Sequence, residues 1–332
     1  MADAPEAKKL KTWSYFDRKD QRRKPSEYEV VSVNLHTRMD NPEAPFELDP
    51  DIFMNKWYRE NMHGCPLKHE DWDDFRDPDE LIYRTYNTLQ DGREQYVDGL
   101  LNEFDQLGHD AGLSDEWLAV LARLYTPGRY LTHTVQMSSA YLISIAPAST
   151  ISNCAIFQDG DSLRWLHRTA YRTAELAKHC PGKGFGENER KIWEEDEAWQ
   201  GFRELMERQL VAYDWGEAFT SLNLVAKLAI DEACLRQFAK AARRENDMLL
   251  AMLIDAQLTD SDRHRRWTKA LADFALRVDG NKVALDGWLD TWVPLSETAI
   301  DAWCSALPES PDAARDAKDA ARTFRESAGL AG

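Results

Sequence analysis

Cysteine is scarce and unpaired in this sequence: Cys65, Cys154, Cys180, Cys234 and Cys304 are widely spaced, odd in number and without a CxxC pair. That excludes a disulfide framework and a zinc site, and the expectation is reduced thiols in a cytoplasmic protein. Positive charge is short as well. Against 58 Asp and Glu stand 41 Lys and Arg, a formal charge of −17, which repels phosphate backbones and anionic lipid. Neither nucleic acid nor a membrane is an expected partner. The most apolar stretch, Met137 to Ala148, falls well short of the ~20 residues a bilayer span needs, and the polar start from Met1 to Thr12 carries no evident address. No hairpin signal, strand run or Gly-rich phosphate loop appears, so nucleotide-binding folds find no support. Proline is missing from Gly182 to Val293; since it costs about 3 kcal/mol inside a helix, its absence leaves room for long ones.

What is present divides in three. Pro25, Pro42, Pro45, Pro50, Pro66 and Pro78 crowd the first eighty residues, which show no sustained periodicity and predict an extended, irregular arm (1–80). The arm is nevertheless rich in rings, among them Trp13, Tyr15, Phe16, Tyr28, Phe46, Phe53, Trp57, Tyr58, Trp72 and Phe75. A solvated linker is poor in aromatics, so the arm is expected to wrap on something, a neighbour or its own domain. From about Asp79 the apolar spacing turns to three and four residues, through Asp115 to Leu124, Tyr130 to Ile145, Ser162 to His179, Phe202 to Leu228 and Leu249 to Val278. Pro127 and Pro147 stand where helices should break. The body (81–307) reads as an all-α bundle, followed by an Ala/Asp/Arg-rich tail (308–332) expected to be surface helix or frayed.

Two pentapeptides, Asp161-Ser162-Leu163-Arg164-Trp165 and Asp260-Ser261-Asp262-Arg263-His264, look like one motif used twice. Ferritin-like di-iron bundles draw Glu-x-x-His from each of two helices and a Glu from each of two others, the i, i+3 spacing placing both ligands on one face. On that template the pairs become Ser162 with Trp165 and Ser261 with His264, so three of four motif ligands are gone. Between Glu116 and Glu175 there is no other Glu, and Asp159 and Asp161 are the only Asp. The expected set of catalytic, cofactor-binding and metal-binding residues in this chain is therefore empty. His264, among Asp262, Arg263, Arg265 and Arg266, reads as a salt-bridged or core histidine. Arg164 and Arg263 read as partners of Asp161 and Asp260 in buried or interhelical ion pairs.

Other candidates point the same way. Glu217 lies one residue, about 100° of helix, from the ligand position that the Phe219-Thr220 pair would give to Gly216. Glu175 and His179, at i,i+4, read as a surface pair. His133 and Cys154 have no partner nearby in sequence, and no Ser, Cys or Thr sits in a nucleophile elbow.

Across these residues the sequence resembles the hydroxylase β subunit of bacterial multicomponent monooxygenases, in the branch that oxidises toluene, xylene and alkenes. The resemblance runs through Leu10-Lys11-Thr12-Trp13-Ser14, Arg23-Lys24-Pro25-Ser26-Glu27-Tyr28, Pro66-Leu67-Lys68-His69, Arg76-Asp77-Pro78-Asp79 and Tyr83-Arg84-Thr85-Tyr86-Asn87. It continues through Ile145-Ala146-Pro147-Ala148-Ser149-Thr150, the run Asp214 to Phe219, Arg263-His264-Arg265-Arg266-Trp267 and Ser305-Ala306-Leu307-Pro308. It implies a ferritin-like fold that has lost its iron ligands, and no cofactor in this chain. It implies partners too: a catalytic α subunit holding the di-iron centre and a small γ subunit, in an (αβγ)2 hydroxylase. A reductase, a Rieske ferredoxin and a small effector protein complete that system, which hydroxylates or epoxidises hydrocarbons with O2 and NADH. The arm would then strap a neighbouring subunit. Composition alone also admits a helical scaffold or binding protein outside oxygenase chemistry.

Overall fold

The structure is a computed structural model that describes residues 25–33, 35 and 51–331; the aromatic residues Trp13, Tyr15, Phe16 and Phe46 lie outside them. Among the described residues there is no strand, and no helix is long and apolar enough to cross a membrane. In chain order the helices are α1 (Glu27–Ser32), α2 (Phe53–Tyr58), α3 (Tyr83–Gln106), α4 (Asp115–Val120), α5 (Gly128–Ile145), α6 (Ser149–His179), α7 (Glu189–Glu195) and α8 (Glu197–Gln209). Then come α9 (215–244), α10 (Met248–Ala275), α11 (Asn281–Ser305) and α12 (Ala313–Ser327). This is a ferritin-like helical bundle. α9 is continuous but not uniform, passing through π-helical turns at Thr220–Ala226 and Ile230–Gln237.

Pro127 caps α5 and Pro147 separates α5 from α6, which pack along each other as a hairpin. The apolar spacing from Phe202 to Leu228, expected as one helix, is split. α8 ends at Gln209, and Asp214 starts α9 by accepting from the backbone N–H of Gly216 (2.9 Å) and Glu217 (3.2 Å). An aspartate in this role satisfies two of the free donors at a helix start, so the chain turns although its hydrophobic rhythm resumes. α8 crosses α11 closely enough that a Cβ on Gly201 would sit 2.6 Å from Ala299 Cα. Trp117, Trp199, Trp215 and Trp303 are fully buried, each ring removing on the order of 150–250 Å² from water.

The described part of the arm lies on its own bundle. A capping box between Ser26 and Glu29 starts α1, and the Tyr28 hydroxyl accepts from the backbone N–H of Asp77 at 3.0 Å. Further on, Asn281 brackets Lys68, accepting from its N–H (2.8 Å) and donating to its carbonyl (2.7 Å). His69 stacks on Phe274 with centroids 4.0 Å apart, and the Cys65 thiol donates to Asp214 Oδ1 at 3.0 Å. At the other end α12 turns Ala313, Ala317 and Ala321 inward, four residues apart, against α9 and α11. All five cysteines are free and buried.

Candidate functional site

The doubled motif forms the charged centre of the bundle. On α6, Asp161, Arg164 and Trp165 stand at i, i+3 and i+4, and on α10 so do Asp260, Arg263 and His264; that spacing puts each trio on one helix face. The two faces meet and exchange partners. Arg263 donates to Asp161 and Arg164 to Asp260. His264 Nε2 lies 2.8 Å from Asp161 Oδ2, and Trp165 Nε1 lies 2.8 Å from Asp260 Oδ2. Each carboxylate is thus held by the guanidinium and the ring nitrogen of the opposite helix. The expected pairing of these arginines with these aspartates is present, and it is crossed between helices.

A third helix closes the network. From α3, the Tyr86 hydroxyl donates to Asp161 Oδ1 (2.9 Å), and the Gln90 amide donates to both Asp161 (2.6 Å) and Asp260 (3.2 Å). Arg93 adds a second guanidinium on Asp260, while Glu94 receives Arg164 (2.6 Å) and Arg168 (3.0 Å). Asp161 and Asp260 are each 1% exposed. Burial pushes the Asp161 carboxyl up, against the pull of Arg263 and Arg164. The same burial, helped by Lys227 and Arg263, holds His264 well below the usual imidazole range. His264 is therefore neutral, with Nε2–H donating to Asp161 and a lone pair on Nδ1.

Between α5, α6, α9 and α10 lies a cavity of ≈ 30 Å³, lined by Ser162, Trp165, Ser261 and His264, the four template positions, together with Lys227, Asp231 and others. That is room enough for a water molecule. The donor set does not fit a metal pair. Ser162 donates to Gln158 O (2.8 Å) and Ser261 to Asp231 Oδ1 (2.9 Å). Indole nitrogen and ammonium are donors without a lone pair to offer. Of the lining side chains, buried atoms without a hydrogen-bond partner are His264 Nδ1 and Asp231 Oδ2, where a di-iron bundle needs four carboxylates and two histidines. Among the described residues, no group of three or more His, Cys, Asp or Glu is placed to hold a metal ion.

The remaining candidates are elsewhere. Glu217 accepts from Trp292 Nε1 at 3.0 Å and does not line the cavity. Glu175 and His179 are not the surface pair expected from their spacing, because a buried ion pair competes for both. Arg172 and Asp110 face each other across α6 and the turn after α3; His179 Nδ1 lies 2.9 Å from Asp110, and Arg172 lies 3.4 Å from Glu175. His133 is exposed on α5. Cys154 is buried, and that burial pushes its thiol well above the usual range. Sequence reasoning missed Gln90, Arg93, Lys227 and Asp231. Lys227 and Asp231 did leave a signal, two charges four residues apart in the otherwise apolar run Leu224 to Asp231, which must be paired if buried.

A neutral buried histidine has a pH signature. In the folded chain His264 binds its proton only well below pH 6.5, whereas the unfolded chain binds it near 6.5. The unfolded state thus takes up more protons as the pH falls below about 6.5, and stability drops by up to about 1.4 kcal/mol per pH unit. His264→Gln, which does not titrate, is expected to flatten the fall in urea midpoint between about pH 6.5 and 5. An unchanged slope would show that His264 is not the group responsible.

Comparison with known proteins agrees with this architecture. The family model described as methane/phenol/alkene hydroxylase matches residues 53–279. The hydroxylase component subunit beta of the toluene-4-monooxygenase system of Ectopseudomonas mendocina is 51% identical over 300 residues, 90% of this chain and 91% of that one. A chain in the solved structure of toluene 4-monooxygenase, with toluene bound in the resting active site, matches with a TM-score of 0.86 at 50% identity, over 90% of this chain and 98% of that one. A chain of xenon-pressurised phenol hydroxylase from Pseudomonas sp. OX1 shares the fold at 18% identity, with a TM-score of 0.83 over 100% and 98% of the two chains. A scaffold outside oxygenase chemistry is set aside by these likenesses. The chain belongs to the methane/phenol/alkene hydroxylase family, as a hydroxylase β subunit of a multicomponent hydrocarbon monooxygenase.

Proposed function

We propose that this β subunit is a noncatalytic assembly partner, and that the oxygen chemistry belongs to a larger α subunit carrying the di-iron centre. The observation that carries this reading is the cavity itself, where the four positions of the metal-binding template hold two serines, a tryptophan and one histidine beside an ammonium. Catalytic, cofactor-binding and metal roles are accordingly assigned to none of its residues. The subunit serves in an (αβγ)2 hydroxylase in the cytoplasm, with electrons arriving at α from a reductase through a Rieske ferredoxin and a small effector protein acting on the complex. The N-terminal arm (1–80) is read as the strap on a neighbour, the helical body as 81–307 and the tail as 308–332.

Native mass and iron content per subunit test the proposal together. Gentle purification is expected to yield a large iron-bearing complex from which this chain separates without iron. A β chain that keeps its own iron through the separation would sink the reading.

A further inference from the structure

Lys227 has been given no role by the family comparison, yet it occupies an unusual place. It lies at the middle of α9 in an apolar run, is 8% exposed, and is the one Lys or Arg among the residues lining the ≈ 30 Å³ cavity. Three carboxylates line the same cavity, those of Asp161, Asp231 and Asp260, each 1% exposed. Buried carboxylates need cations close by, and a ferritin-like di-iron bundle meets that need with metal ions at its centre. Here Asp161 and Asp260 are served by arginines of the facing helices. Asp231 is served from inside the cavity, where Lys227 Nζ stands 3.6 Å from its Oδ1 and Arg265 Nε flanks its other oxygen at 3.5 Å.

We propose that Lys227 is a resident cation that takes the place of metal charge in this cavity, so that the subunit reaches its assembled fold without iron. The ammonium does this in two ways. It balances Asp231 at the point where the four template positions converge, and its like charge opposes a divalent ion approaching His264 Nδ1 and Asp231 Oδ2 at low local dielectric. A β subunit built so can fold and offer its surfaces to partners before any iron has been loaded into the complex. The proposal rests on the assembly-subunit reading but makes a claim that can fail separately.

The test uses the full-length chain as wild type and as Lys227→Arg, Lys227→Met and Lys227→Glu, with thermal midpoints read in EDTA and in excess Co(II). The wild-type midpoint is expected to be the same in both, and Lys227→Arg to stay close to it. Lys227→Met is expected to melt about 5 °C or more lower, having left Asp231 with Arg265 and Ser261 alone. Lys227→Glu is expected to fall further in EDTA and to regain part of the loss in Co(II), because the metal then supplies the charge that the ammonium had supplied. If Lys227→Met or Lys227→Glu is as stable as wild type in EDTA, or if Co(II) fails to raise a folded Lys227→Glu, the proposal is overturned. If Lys227→Glu does not fold, the Met and Arg variants decide. An iron-free wild type indifferent to Lys227→Met would sink this proposal and leave the assembly reading standing; tightly bound iron in the wild type would sink both.

Discussion

Arg263→Met is expected to cost about 3–5 kcal/mol of stability, the loss typical of removing one partner from a buried ion pair. Asp161, 1% exposed, would keep hydrogen bonds from Tyr86, Gln90 and a neutral His264 and the more distant charge of Arg164, but no guanidinium in direct contact. Arg164→Met should cost clearly less. Its partner Asp260 retains Arg93, the Trp165 N–H and, at 3.7 Å, Arg263. Adding Asp161→Asn to Arg263→Met should recover part of the loss, since an amide left in that place is cheaper to bury than an unpaired carboxylate. Urea midpoints of these three variants against the wild type measure this. Equal losses from the two single arginine variants would show that the backing cations on Asp260 carry no weight.

The second large effect belongs to the crossing of α8 and α11. Gly201→Leu is expected to destabilise by about 3 kcal/mol or more, because the added Cβ would meet Ala299 Cα at 2.6 Å and its N at 3.0 Å. Those are backbone atoms, so the collision cannot be relieved by a side-chain rotation and the helices must separate. Even Gly201→Ala should destabilise. The contrast is Gly92→Ala on α3, where a Cβ meets nothing within 4 Å; there the helix gains about 0.5–1 kcal/mol from the better helix former. Thermal midpoints of opposite sign at two helical glycines would tie the difference to packing. A neutral Gly201→Ala would mean that the two helices separate without cost.

The helical class could be read from apolar spacing and from where proline falls, and the doubled Asp-Ser-x-Arg motif could be found because its two copies keep residue type as well as spacing. What could not be read is set by contacts distant in sequence. Nothing local says that Asp161 closes on Arg263 rather than on its own Arg164, since i, i+3 spacing permits either. Gln90 and Arg93 sit on a helix whose outward face is also polar, so the inward polar residues carry no distinguishing mark. Lys227 bears no metal-ligand signature, because carboxylates and imidazoles are the groups that bind metal and an ammonium in their midst belongs to the opposite chemistry. The split between α8 and α9 was hidden by a hydrophobic rhythm that happens to stay in phase across a turn fixed by one aspartate.

The five buried thiols turn the native chain into a gauge of its own breathing. Burial first, with nearby acidic groups adding to it, raises Cys154 and Cys234 well above the usual thiol range and brings Cys304 to about 12, so thiolate is scarce while the fold is shut. Modification by an alkylating reagent then counts openings of the structure rather than collisions with its surface. The sites are spread from Cys65 beside the start of α9 to Cys304 near the end of α11. Their separate labelling rates would rank which parts of the subunit loosen first when a partner is removed.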